Sequence, residues 1–126
     1  MKAVKLYTNS GHDQVYLYEY SFVDDEHPLV PYTDVRGADH CAQTYAIMDG
    51  APTLNKTENE ISEEYRAMKA IMRQTWASFI RTGFPIPAGS QLPKWPPTGA
   101  NGFQHMSLNS ALELRGSPHE DRMRLW

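Results

Sequence analysis

Cysteine is nearly absent: Cys41 is the only one in 126 residues. A single cysteine excludes an internal disulfide and any CxxC metal site, and a lone cysteine most often packs as a small hydrophobe. Long apolar runs are missing too. No stretch approaches the ~20 residues that a membrane span requires. The start "MKAVKLYTNSGHD" is too short and too broken for the apolar region of a signal peptide. Charge of one sign is scarce, with a formal net charge of -3, so no basic footprint for nucleic acid or an anionic membrane exists. GxSxG does not occur, nor does a glycine-rich phosphate loop.

Hydrophobic residues make up 40% and charged residues 21%, the composition of a folded domain rather than a disordered tail. Val4 to Tyr7 reads as a helix end, and "TNSGHDQ" as a turn rich in turn formers. "VYLYEYSF", Val15 to Phe22, is aromatic and nearly continuous in apolar character. Such a run suits a strand covered on both faces in a parallel sheet. "VDDEHPLVPYTDVRG" carries Pro28 and Pro31 and reads as a long loop leading into "RGADHCAQTYAIMDG". After a second linker, "APTLNKTENE", a long helix is expected over 61–82. Thr57 and Glu60 have capping-box spacing. Tyr65, Met68, Met72, Trp76 and Phe79 form one apolar stripe, the mark of core packing. Gly83 is placed as its C-terminal cap, and Pro85 stops continuation.

The prolines cluster late, five of the nine in "FPIPAGSQLPKWPPTGANG", with Trp95 as the anchor into the core. "FQHMSL" and "ALELRG" read as a small terminal hairpin. No other parallel strand stands out beside Val15–Phe22. One strand, one long helix and a hairpin are too few to cover their own apolar surface, so a piece of a larger α/β domain is expected.

His40 lies on a loop after that strand, where ligands and catalytic groups of open α/β sheets collect. Its neighbours Gly37 and Ala38 allow close backbone approach. Three readings stand open from position alone: a general base, a metal ligand, or a histidine without chemistry. The metal reading lacks a second ligand at the right spacing. His12, His27, His105 and His119 sit in a turn, an acidic loop, the hairpin and the tail, and read as structural or solvated. Asn55-Lys56-Thr57 is an N-glycosylation sequon.

The order of segments resembles the C-terminal portion of the type-B carboxylesterases, which include cholinesterases and many insect esterases. "GADH", "TWASFIRTGFP" and "KWPP" carry the likeness, in that order, and it runs from about Gln14 to Trp126. The resemblance implies a C-terminal fragment of an α/β-hydrolase fold over residues 1–126, incomplete at its N-terminal side. It implies hydrolysis of small carboxylic esters by a Ser-Glu/Asp-His triad, without cofactor or metal. His40 matches the family's catalytic histidine. The serine, the acid and the oxyanion glycines would precede Met1, so this chain alone is expected to be inactive. The sequon at Asn55 falls where several members carry one, which favours a secretory route. The helix over 61–82 resembles one that contributes to a dimer contact in cholinesterases. One position departs from the pattern: three residues after the histidine the family commonly has an acid, and here stands Gln43. That departure favours one alternative, a non-catalytic adhesion protein like the neuroligins; the uncovered apolar strand favours another, an inactive truncated gene product.

Overall fold

The structure, a computed structural model, describes residues 2–50, 55–99 and 102–118. Part of the second linker, His119 and the closing "MRLW" lie outside the described residues. The element order is α1 (Lys2–Asn9), β1 (Tyr18–Tyr20), α2 (Ala42–Ile47), α3 (Glu63–Thr82), β2 (His105–Leu108) and β3 (Leu112–Arg115).

The sheet has the order β1-β2-β3. β2 and β3 form the expected antiparallel hairpin, with Leu108 opposite Leu112. β1 pairs parallel with β2, Tyr18 beside Met106 and Tyr20 beside Leu108. This corrects the reading that the chain offers no parallel partner. The first hairpin strand is that partner. The burial is also redistributed. All four residues of β2 are buried, whereas β1 stands at the edge of the sheet among the described residues, with Tyr18 exposed.

β1 is shorter than its apolar run for a physical reason. The Leu17 carbonyl takes the first bond from β2, from the Met106 amide (2.9 Å), and shares with the Trp95 indole (3.2 Å); before it, the Val15 carbonyl accepts from the Thr98 amide (2.7 Å) in the proline-rich segment. Pro93, Pro96 and Pro97 have no amide hydrogen, so a regular ladder cannot continue there. Trp95 is buried, as its anchoring role requires.

α3 begins at Glu63, not Ile61, and its N-cap is Ser62, whose hydroxyl accepts from the Tyr65 amide (3.0 Å). Only half of the Thr57–Glu60 box forms: the Thr57 amide donates to the Glu60 carboxylate at 2.8 Å, but the Glu60 amide bonds the Thr57 backbone carbonyl instead of its hydroxyl. It closes a separate turn ahead of the helix, because Ser62 supplies a cap nearer the apolar stripe. At the other end Gly83 takes φ 77° and donates to the Phe79 carbonyl at 2.8 Å. Tyr65, Met68 and Met72 of the stripe are buried against Phe22, Ala46, Met106 and Leu108. Burying each methionine contributes roughly 2 kcal/mol. Trp76 is only partly buried and Phe79 is exposed, so the stripe leaves the core over its last two turns. Among the described residues no helix is long and apolar enough to cross a membrane.

Candidate functional site: the His40 segment and its clamp

The loop that delivers His40 is folded back on itself. Val30 donates its amide to Val35 (2.8 Å), and Leu29 and Arg36 form an isolated bridge. Arg36 Nε donates to the His27 carbonyl at 2.9 Å, which ties the loop's end to its beginning. Gly37 follows where a Cβ would stand 3.3 Å from the Val30 side chain, so its lack of a side chain is used for close passage.

His40 occupies the turn at the head of α2 and is exposed. The Ala42 amide bonds the Asp39 carbonyl (3.1 Å), and Cys41 takes the left-handed conformation, φ 64°. A left-handed non-glycine residue is uncommon and lets the chain turn sharply into the helix. Cys41 is a free, partly exposed thiol. Among the described residues no side chain bonds the His40 imidazole. Gln43 lies in the first turn of α2, half-buried.

α2 has only six residues, too short to hold itself in water. Two things hold it. Ala42 and Ala46 are buried, and the helix packs on α3. The second is a pair of cations from α3. Lys69 Nζ donates to the carbonyls of Tyr45 (2.9 Å), Met48 (2.5 Å) and Gly50 (2.7 Å). Arg73 Nε donates to Ile47 (2.9 Å) and its Nη2 to Met48 (2.7 Å). These carbonyls are the ones a helix end leaves without partners, and positive charge there also opposes the helix dipole. Glu58 completes the group, accepting from Arg73 Nη1 and from the Gly50 amide, both at 2.8 Å. Its oxygen stands 3.5 Å from Lys69.

The Lys69 side chain is wholly buried. Burial pulls its pKa below the usual lysine value, with Glu58 acting in the opposite direction. Three carbonyls facing one ammonium still match its three donors, so the charged form is the one the cage fits. Burial pushes Glu58 upward, but the Gly50 amide and Arg73 outweigh it and hold the carboxyl below its usual value.

A second cluster carries a serine, a histidine and an acid: Ser62, His27 and Asp24. Ser62 donates its hydroxyl to the Asp24 carboxylate, and His27 Nδ1 lies 2.6 Å from the other oxygen. The chemistry of a triad needs the histidine between serine and acid. Here the carboxylate stands in the middle, and Ser62 is engaged as a helix cap. The cluster is therefore a structural tie, and His27 is structural. Burial pushes Asp24 up, yet the bonds from Ser62 and His27 win and hold it below its usual value. His105 is structural as well, its Nδ1 2.6 Å from the Gly116 carbonyl.

Asn55 is exposed and left-handed, φ 51°. It sits in the turn ahead of α3, apart from the clamp. Sequence reasoning missed Lys69, Arg73 and Glu58 as a unit. The available signal was Lys69 itself, a cation one position from Met68 and four from Tyr65 on the stripe side of the helix.

The model of the carboxylesterase family matches residues 1–126. The chain belongs to the carboxylesterase family. Among solved structures, the Geobacillus stearothermophilus carboxylesterase is similar at 21% identity, covering 99% of this chain and 24% of that one, with a TM-score of 0.69. An esterase from anaerobic Clostridium hathewayi, described as hydrolysing aliphatic aromatic polyesters, is similar at 21% identity over 90% of this chain and 20% of its own, TM-score 0.64. A PNB esterase is similar at 21% identity over 89% of this chain and 21% of its own, TM-score 0.64. These neighbours give the carboxylesterase chain its fold class, α/β-hydrolase. The chain spans about a fifth to a quarter of the length of the solved structures it matches.

Proposed function

We propose that residues 1–126 are the C-terminal part of a single carboxylesterase domain that hydrolyses small carboxylic esters, with His40 as its general base. The supporting observation is the exposed His40 ring, unengaged among the described residues, at the head of a helix held from behind by Lys69 and Arg73. The nucleophilic serine and the acid would come from preceding segments. His40 would accept the serine proton as the hydroxyl attacks the ester carbonyl, then return it to the leaving alcohol. General acid–base catalysis of this kind contributes about 10²–10⁴-fold. Backbone amides from the rest of the domain would stabilise the oxyanion.

The exposed apolar side chains fit a chain that packs against more of its own domain. Leu6, Tyr7, Tyr18, Val35, Ile80 and Phe84 are all exposed. An open cleft of about 230 Å³ lies between Tyr16, Tyr18, Trp76, Phe79 and Trp95. Soluble monomers rarely leave such surface uncovered.

The test is His40→Ala in the full-length protein with a p-nitrophenyl ester. Turnover should fall by orders of magnitude; retained turnover refutes the assignment. Gln43 favours a second reading, a non-catalytic relative in which the nucleophile is lost. A GxSxG serine upstream of Met1 sinks that reading. Asn55 is proposed as a glycan site on a secretory route, and glycosidase treatment should then shift the mass of the native protein but not of Asn55→Gln.

A further inference from the structure

Resting on the assignment of His40, we propose that Lys69, with Arg73 beside it, is the positioning residue for the catalytic histidine. It acts by gripping the far end of the helix that carries His40.

His40 can act as a base only where its ring is held in place. Its ring has no side-chain partner among the described residues, so within this segment its place is set by its backbone, whatever orients the ring from the rest of the domain. That backbone belongs to one hydrogen-bonded unit. The Ala42 amide bonds Asp39, Thr44 bonds Cys41, and Met48 bonds Thr44. A rigid segment this short moves as a body. Ala42 and Ala46 press one side onto α3, but alanines are small and leave sliding along the helix axis open. Sliding is stopped at the other end, where Lys69 and Arg73 together hold the carbonyls of Tyr45, Ile47, Met48 and Gly50. Glu58 then ties both the cations and the Gly50 amide to the turn before α3.

A buried ammonium is an expensive way to end a helix, since a glycine cap does it without moving charge out of water. Its advantage is length and stiffness. Lys69 reaches from the middle of α3, the element most firmly seated in the core, to three carbonyls at once. The histidine segment is thereby referenced to α3 rather than to the loop 24–36. Catalytic geometry rewards this, because a displacement of ~1 Å costs on the order of 10²-fold in rate.

The experiment uses the full-length enzyme and four variants: Lys69→Met, Arg73→Gln, His40→Ala and Gly83→Ala. Lys69→Met keeps length and removes the donors. Its kcat should fall at least tenfold with KM within twofold, and the acid limb of its pH–rate profile should move. Arg73→Gln should show the same split at smaller size; it decides the matter alone if Lys69→Met does not fold. Gly83→Ala strains the C-terminal cap of α3, away from the clamp, so it should lower thermal stability and leave kcat per folded enzyme unchanged. Wild-type kcat and pH profile in folded Lys69→Met, or an equal kcat loss in Gly83→Ala, overturns the inference. These outcomes are separable from failure of the underlying assignment, which shows as turnover surviving in His40→Ala.

Discussion

Replacing Asp24 with alanine tests whether the Ser62–Asp24–His27 tie holds the loop that leads to His40. The Asp24 side chain is only 5% exposed. It accepts from the Ser62 hydroxyl, from His27 Nδ1 at 2.6 Å and from the Glu26 amide at 3.1 Å. Hydrogen bonds to a charged group contribute ~1.5–3 kcal/mol each, so a simple sum overshoots once relaxation is allowed. Two compensations exist. The amide of residue 24 lies 3.1 Å from His27 Nδ1 and can donate to it once the ring changes tautomer. Ser62 keeps its bond from the Tyr65 amide. The net loss is therefore about 2–3 kcal/mol, felt locally at the N-terminus of α3 and in the loop 24–36. At ~1.4 kcal/mol per tenfold, amide exchange there should rise roughly 30- to 150-fold. Hydrogen–deuterium exchange read on peptides covering 22–36 and 60–68 measures this directly. Exchange within threefold of wild type in a folded Asp24→Ala protein would refute the claim that this carboxylate joins loop to helix. Asp24→Asn should fall between the two, since it keeps an acceptor and loses the charge.

Acid should act through the same groups. Asp24 and Glu58 titrate below their ordinary values of 3.8 and 4.5, so the stability they contribute is present above those values and is lost as pH falls through the lowered ones. Denaturation midpoints should be level between pH 7 and 5 and drop below about pH 4.5, with a smaller drop in Asp24→Asn; an equal drop in both would count against the tie. Gly83→Ala should cost about 1–2 kcal/mol, because φ 77° is strained for any residue with a Cβ. The added methyl meets only the end of the flexible Gln14 side chain, so a loss in melting experiments much above that range would mean the Gln14 contact cannot give.

The sequence was most readable where structure is local. Gly83 closes α3, and β2 and β3 pair as a hairpin, because each depends on residues within a few positions of one another; the burial of Trp95 was legible from its bulk, though its partner Leu17 lies far back in the chain. The start of α3 was misplaced by two residues, since Thr57–Glu60 and Ser62 are both valid caps and only the packing of Tyr65 selects between them. The parallel pairing of β1 with β2 was invisible. Nothing in "VYLYEYSF" names a partner in a hairpin on the far side of a helix. At the proposed site, the family pattern pointed to His40, but nothing in the sequence pointed to the residues that grip its helix. Lys69, Thr75 and Ser78 are buried, and a polar residue on a helix reads as solvent-facing until its acceptors are known. Those acceptors are backbone carbonyls, which every residue carries and no pattern marks.

The β1–β2 pairing also sets a schedule for the growing chain. Tyr18 leaves the ribosome about 90 residues before Met106, the neighbour it needs. At ~5–20 residues per second that is a wait of about 5–20 s. Closing so long a loop is entropically costly, so the pairing forms late even after release. During that interval a segment with Tyr16, Tyr18, Tyr20 and Phe22 leaves open the backbone edge that β2 later covers. The nascent chain is then most exposed to strand-to-strand association with its own copies. Shielding of this one segment, by a chaperone or by earlier parts of the polypeptide, is what would govern the yield of folded protein.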